Sequence, residues 1–258
     1  MAAPFEKTAM LSIEEMYRAY GTRVFNQAYR IMGDRAAAED VVHEVFIRII
    51  QGAGSFRGES SVYAWVVAIT RNLCLRSRKR TFRGLQKLME SGRQQPAQPA
   101  VTDEMEKRFY VGQVKDGCLT GLLRCLSFHQ RVAFILEVLF RVPVGTVATV
   151  MGKSENSVRI LVSRARANLK EFLCRNCSLY DNGNRCRCEN MVQFSLRNAL
   201  IPPYDPRTSP AAIESELKAF KDEVLLYQSL REQDPPVGLP QRLLSRKDLV
   251  ILSRQKVK

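Results

Sequence analysis

Residues 143–173 read PVGTVATVMGKSENSVRILVSRARANLKEFL. The pattern is two helices with a break between them. Pro143 suits the first turn of a short helix, because its missing N–H is one of the donors that a helix start leaves unpaired. That helix ends at Met151, where Gly152-Lys153-Ser154 supplies a turn and Ser154 can cap the second helix. Beyond it, Val158, Val162, Ala165, Leu169 and Phe172 recur in steps of four, three, four and three. This is the period of a single buried helix face. Short helix, glycine turn and longer basic helix together form a helix-turn-helix, whose second helix enters the major groove of DNA. Glu155, Asn156, Ser157, Arg159, Ile160 and Ser163 lie off the seam, and Arg159, Arg164, Arg166 and Lys170 can reach phosphate or guanine. Residues 123–173 carry eight basic and three acidic side chains, a local charge of +5. A plain three-helix core with a solvated basic face would show the same pattern without reading DNA.

Working outward, every ordered stretch has a helical period, so the fold class is all-α. Ser127 is a cap for a helix built on Val132, Ile135, Leu136 and Leu139. Residues 103–126 form another, with Met105, Phe109, Val114 and Leu122 available for packing. Residues 81–102, ending GRQQPAQPAVT, have no apolar period and read as a linker. A helix over 61–80 turns Val62, Trp65 or Val66, Ile69 and Leu73 inward, and its far end is strongly basic. The glycine-rich stretch 51–60 is a loop. A helix over 36–50 buries Val41, Val42, Val45, Phe46, Ile49 and Ile50 and turns Glu39, Asp40, His43, Glu44 and Arg48 outward. A first helix carries Met16, Tyr20, Val24, Tyr29 and Ile31 and stops at Gly33-Asp34.

Past the helix-turn-helix comes a cysteine cluster, then PPYDPRTSP at 202–210, a stiff connector. Residues 211–232 are helical on Ile213, Leu217, Phe220, Val224 and Tyr227, and a short basic amphipathic tail closes 241–258. The narrow apolar stripe of 211–232 either packs on the helix-turn-helix unit or masks a binding face of it. The organisation is therefore 1–82, a helical domain; 83–109, a linker; 110–173, the helix-turn-helix domain; 174–201, a cysteine-rich segment; and 202–258, a C-terminal helical extension.

The chain has 258 residues, 40 Lys plus Arg and 26 Asp plus Glu, a net charge of +14. That excess suits a polyanionic partner. No run of about 18 apolar residues exists and no basic-then-apolar leader opens the chain, so neither membrane insertion nor export is expected. Only His43 and His129 occur, which leaves little room for histidine catalysis. P-loop, dinucleotide fingerprint, nucleophile elbow and HExxH are all missing, so an enzyme is not expected.

Three further constellations stand out. Residues 71–93 hold eight basic side chains against Glu90 alone, a charge of +7, just after Phe56, Tyr63 and Trp65. Aromatics beside cations suit unstacked bases, although Trp65 also matches the apolar stripe and can be core. Asp40 and Glu44 make an acidic strip that either docks a basic protein surface or is paired locally, Glu44 with Arg48 and Glu39 with His43. Cys174, Cys177, Cys186 and Cys188 are spaced Cys-x2-Cys-x8-Cys-x-Cys. Four thiolates suit a tetrahedral ion, zinc first, with copper(I) or another thiophilic metal as the alternative. The turn Asp181-Asn182-Gly183-Asn184 can fold the two pairs together. Free thiols, or a structural staple without sensing, are the plain alternatives.

AEDVVHEVFIRI (38–49), SFRGESSVYAWVVAITRN (55–72) and the following RKR resemble region 2 of the extracytoplasmic-function sigma factors of the sigma-70 family. QRVAFIL with VGTVATVMGKSENSVRILVSRARANL, within 130–169, resembles their region 4. The resemblance implies a transcription initiation factor that binds core RNA polymerase and directs it to promoter DNA. Region 2 would dock on the polymerase through Asp40, Glu44, Val45 and Arg48. It would then open the −10 element and hold a flipped base through Phe56, Arg57, Ser60, Ser61, Tyr63, Arg71, Asn72, Arg76 and Arg80. Region 4 would read the −35 duplex through Ser157, Arg159, Ser163, Arg164 and Arg166. The sequence departs from the pattern at His43, at Gly145-Thr146 and at Leu161, which bears on the −35 bases read more than on the class of function. Some relatives carry C-terminal cysteine-rich extensions that sense metal, so regulation through Cys174, Cys177, Cys186 and Cys188 is implied. A bacterial cytoplasmic location follows from the same resemblance, while the sequence leaves open whether an anti-sigma partner exists. The rivals are a stand-alone helix-turn-helix regulator and a metal-binding protein without promoter activity.

Overall fold

The computed structural model describes residues 11–52, 56, 60–76, 82–93, 103–204, 222–235 and 249–250. Two units divide the described residues. One draws on 1–77, 143–158 and 232–258, the other on 78–142 and 159–231.

The first unit is built on α1 (Ile13–Met32), α2 (Arg35–Gly52) and α3 (Val62–Leu73). Gly33 takes a left-handed φ of 66° between α1 and α2, a conformation that costs glycine nothing. Asp34 Oδ1 then accepts the Ala37 N–H at 2.8 Å and starts α2. Met16, Val24, Phe25, Ala28 and Ile31 of α1 share a core with Val42, Val45, Phe46 and Ile49 of α2 and Val66 and Val67 of α3. The expected stripe of α2 is buried, except that Ile50 is only half-buried. Ser61 Oγ accepts the Ala64 N–H at 3.1 Å and caps α3. Expected over 61–80, α3 instead ends at Leu73 and tightens into a 3-10 turn over Cys74–Arg76; residues 77–81 lie outside the described residues. Val66, rather than Trp65, holds the central core position of α3.

Helix α7 (Val144–Met151) lies against α3 in the same unit. Pro143 sits just outside it as the N-cap residue, with ψ of 138°. The helix thus begins one residue later than the proline rule suggested, with Pro143 O accepting the Val147 N–H at 3.0 Å. Gly152 closes α7 at φ 61°, and Lys153 N donates to Ala148 O at 3.0 Å. This is the bonding of a left-handed C-terminal cap. Gly152→Ala is expected to lower stability by about 1 kcal/mol, because a Cβ is disfavoured at that φ. A urea midpoint within error of the parent chain would refute this. A chain segment from the far C-terminal side joins the unit too. Asn26 is buried and clamps Gln233, donating to its carbonyl at 2.8 Å and accepting its N–H at 2.8 Å. Strand β1 (Leu11–Ser12) pairs antiparallel with β2 (Leu249–Val250), a small departure from an otherwise helical fold.

The second unit opens with a helix where a linker was expected. α4 spans Phe82–Arg93, and Leu85 and Met89 are buried. Phe82, Leu85 and Met89 have a helical period, but the surrounding cations and the proline-rich run after Arg93 obscure it when 81–102 is read as one piece. Gly92 lets α4 approach closely, since a Cβ there would collide with the Met191 side chain. α5 (Glu104–Leu123) starts at Asp103, whose carboxylate accepts the Glu106 N–H at 2.8 Å. α6 (Phe128–Phe134) has the full capping box, Ser127 with Gln130, and continues as a π-helical stretch over Ile135–Leu139. Arg131 is fully buried and donates to the carbonyls of Arg124 (3.1 Å) and Leu126 (3.3 Å). A buried cation thus satisfies acceptors at the end of α5.

α8 runs Glu155–Asn176, its first turn counted with the first unit and the rest with the second. The predicted seam Val158, Val162, Ala165, Leu169 and Phe172 is buried throughout. α9 (Cys188–Arg197) packs on α5 and α4. α10 (Glu223–Gln228) is the described part of the helix expected over 211–232. It ends at Gln228, and residues 205–221, with Ile213, Leu217 and Phe220, lie outside the described residues. Among the described residues no helix is long and apolar enough to cross a membrane.

Candidate nucleic-acid and polymerase interfaces

On α2, Asp40 and Arg48 are exposed and Glu44 is half-buried. Their i, i+4, i+8 spacing puts them on one outward face. Glu44 pairs with Arg48 at 2.8 Å, as the spacing suggested, whereas Glu39 pairs with Arg35 at 3.0 Å instead of His43. Val45 does not belong to this face. It is fully buried, because it falls four residues after Val41 on the stripe that packs α2 into the core. The apolar side chain that faces outward here is Ile47, three residues from Glu44 and seven from Asp40. The sequence marks Ile47 only by its absence from the buried stripe.

The region 2 residues assigned to open DNA fall into two groups. Ser61 is a helix cap, and Tyr63 is engaged inside its own unit. Gln27 Nε2 donates to the Tyr63 hydroxyl at 2.8 Å, and Arg23 lies 4.7 Å from the ring centroid. Burial raises the Tyr63 phenol pKa, partly offset by Arg23 and by hydrogen bonding from Gln27. By contrast, Asn72 is exposed at the end of α3, where its side-chain Oδ1 accepts from Arg71 Nη1 at 2.7 Å. Half-buried Trp65 lies seven residues before Asn72, on the same helix face. Phe56 is buried with its ring 5.2 Å from that of Trp65. Ser60 is half-buried beside Ser61. Arg57, Arg80 and the side chain of Arg76 lie outside the described residues.

On α8, Arg159, Ser163, Arg164 and Arg166 are exposed. Ser157 is half-buried, its Oγ 2.8 Å from that of the cap Ser154. Arg159, Ser163, Arg166 and Lys170 follow at i, i+4, i+7 and i+11, which makes one stripe along the helix. Arg164 is turned roughly 140° from Arg159 and belongs to another face. Burial raises the Glu137 carboxyl pKa, and the Arg159 guanidinium opposes that rise. Arg166 has two acidic partners that sequence reading did not anticipate. Its Nε donates to Glu223 Oε1 at 2.7 Å, and its Nη2 lies 3.8 Å from Asp222 Oδ2.

The cysteine segment folds around a short turn. Cys177 and Cys186 face each other in an isolated bridge, with Ser178 N donating to Cys186 O at 3.2 Å. Asn184 Nδ2 donates to the carbonyls of Cys174 (2.9 Å) and Cys177 (3.2 Å). Burial raises the Cys177 thiol pKa, while the N–H groups of Leu179 and Tyr180, directed at its sulfur, work the other way. Cys174 is exposed. Cys118, outside the motif, lies within electrostatic reach of the cluster. Burial pushes the Cys118 thiol well up, and Cys177, Cys188 and Cys186 add to the rise. Burial likewise raises Cys188, with Cys177 and Cys186 contributing. Cys118 lies on α5, 56 residues before Cys174 in the chain, and no local spacing could have connected them. Among the described residues, no three His, Cys, Asp or Glu side chains form a group that could hold a metal ion as they stand.

Comparison with known proteins bears on both interfaces. Residues 16–83 match the family model of sigma-70 region 2, and residues 116–169 match that of sigma-70 region 4. The RNA polymerase sigma factor YlaC of Bacillus subtilis is 24% identical over 165 residues, 64% of this chain and 94% of that protein. The ECF RNA polymerase sigma factor SigE of Mycolicibacterium smegmatis is 26% identical over 174 residues, 67% of this chain and 66% of that protein. The solved sigma factor RpoE of Bartonella quintana, in complex with the anti-sigma factor NepR, aligns at TM-score 0.43 and 21% identity, over 62% of this chain and 96% of that one. The chain thus spans nearly all of the first relative and just under two thirds of the second. Region 2 followed by region 4 on one chain makes this protein similar to the sigma-70 RNA polymerase sigma factors, relatives of the extracytoplasmic-function type among them.

Proposed function

We propose that this protein carries core RNA polymerase to promoters, opening the −10 element with region 2 and reading the −35 duplex with region 4. The observation that carries the reading is that both regions match in order on one chain, each presenting an outward polar face. On α2 that face is Asp40, Glu44, Ile47 and Arg48, directed to the polymerase. At the end of α3 it is Trp65, Arg71 and Asn72, suited to an unstacked base. On α8 it is the stripe Arg159, Ser163 and Arg166, suited to duplex phosphate and base edges. A stand-alone helix-turn-helix regulator has no use for region 2, and such a protein would act on duplex DNA without polymerase. The setting of this activity is the cytoplasm.

Run-off transcription with purified core polymerase tests the reading, on promoters selected from a random-sequence library. Asn72→Ala is expected to block strand opening while leaving polymerase capture intact. Arg159→Ala is expected to lower promoter affinity by about 1–3 kcal/mol and to relax preference at one −35 position. If the chain fails to capture core polymerase in a pull-down, the reading is wrong.

The metal reading is part of the same proposal. Thiols from Cys177, Cys186 and Cys188, with Cys118 as the fourth, would hold a thiophilic ion such as zinc and staple the cysteine segment to α5. Donor chemistry supports it, as do the N–H groups directed at the Cys177 sulfur, since a bound thiolate is stabilised by such donors. The free thiols do not close on an ion, so binding would draw them inward.

A further inference from the structure

Arg166 lies on the stripe of α8 that points at duplex phosphate, yet its guanidinium is already occupied by two carboxylates. Glu223 Oε1 accepts a hydrogen bond from Arg166 Nε at 2.7 Å, and its side chain is only 5% exposed, whereas that of Arg166 is 45% exposed. Asp222 stands 3.8 Å from Nη2. Two carboxylates around one guanidinium present what a backbone phosphate presents, anionic oxygens in bidentate reach.

The acidic pair is held in place by the rest of its segment. Asp222 Oδ1 accepts the Val224 N–H and caps α10. Leu226 and Tyr227 of α10 are fully buried. The Tyr227 ring meets Phe134 edge-on at 5.2 Å, and its hydroxyl donates to Leu119 O at 3.3 Å. Gln228 Nε2 donates to Val138 O at 3.3 Å. Farther on, Arg231 Nε reaches the buried Asp116 at 2.9 Å. One short segment thus combines an apolar plug, a polar latch and an acidic head.

We propose that segment 222–231 is an internal competitor for promoter DNA, its Asp222–Glu223 head taking the place of a backbone phosphate on Arg166. The inference rests on the reading of α8 as the duplex-facing helix. Duplex DNA must displace the head before Arg166 can contribute, so the free protein binds −35 DNA more weakly than α8 alone would allow. Whatever undocks α10 releases that affinity.

The test uses the full chain and a labelled duplex of about 20 base pairs of mixed sequence, read by anisotropy at low salt, where phosphate contacts dominate. The double variant Asp222→Asn, Glu223→Gln is expected to bind roughly three- to tenfold more tightly. The pair Glu104→Gln, Glu106→Gln removes the same charge at the start of α5 and is expected to change binding by far less. Tyr227→Ala leaves the charge unchanged and is expected to reproduce the gain by undocking the plug. In an Arg166→Ala background the head variant is expected to gain nothing. If that background shows the same gain, or if the α5 control gains as much as the head variant, competition at Arg166 is refuted. If Tyr227→Ala does not fold, as circular dichroism would show, the head variant and its α5 control decide alone. If Arg159→Ala and Arg166→Ala both leave duplex binding unchanged, the duplex-facing reading of α8 fails instead, a result distinct from failure of the competitor.

Discussion

Zinc added to the reduced, metal-stripped chain is expected to raise its unfolding midpoint sharply, and Cys186→Ser is expected to abolish most of that gain. A metal bound only by the folded state contributes its binding free energy to folding, on the order of 10 kcal/mol for small tetrathiolate sites near neutral pH. Here α8 and α9 already flank the cysteine turn, so part of that energy goes into pulling the thiols together. Cys186 is buried at the bridge with Cys177. Cys118→Ser is expected to weaken zinc binding nearly as much, and Cys174→Ser far less, because Cys174 is exposed. Urea unfolding with zinc and with chelator, alongside native mass spectrometry, separates these outcomes. A midpoint that zinc does not move would end the metal reading without touching the promoter one. Retained zinc in Cys118→Ser and lost zinc in Cys174→Ser would restore the purely local motif.

Asp116→Ala is the second large effect, expected to destabilise the chain by roughly 3–5 kcal/mol, since it strands a buried charge. Asp116 and Lys115 are almost wholly buried, 4.0 Å apart, and Arg231 completes the group at 2.9 Å from Asp116. Lys115 Nζ also donates to Ser229 O at 3.3 Å. Removing the carboxylate takes away the anion that faces Lys115 in the interior. It also breaks the ion pair that holds Arg231, so the loss of stability is expected to come with release of segment 222–231. Urea midpoints measure the first, and limited proteolysis around residue 231 the second. A loss below about 1 kcal/mol, the range of a surface pair, would show that the network is solvated.

Helical periodicity and cap chemistry were legible from local spacing. The seam of α8, the Ser127 and Ser154 caps and the turn at Gly152 all depend on residues within a few positions of one another. So do the two family regions, whose motifs are contiguous. Local reading failed where the same spacing serves two purposes. Val45 satisfies both the family's docking motif and the buried stripe of α2, and packing decided for the stripe. The helix at 82–93 was missed because its apolar period is sparse and ends against a proline-rich run.

Periodicity and charge, read from the chain alone, were enough for a helical protein with two basic elements and a cluster of thiols. They could not say that Cys118 lies within electrostatic reach of the cysteine turn, that Arg231 pairs with Asp116, or that Asp222 and Glu223 flank Arg166. Those pairs are 56 to 115 residues apart in sequence. Burial and ion pairing act through space, so which distant side chains meet depends on how the helices pack, and no short-range pattern encodes that.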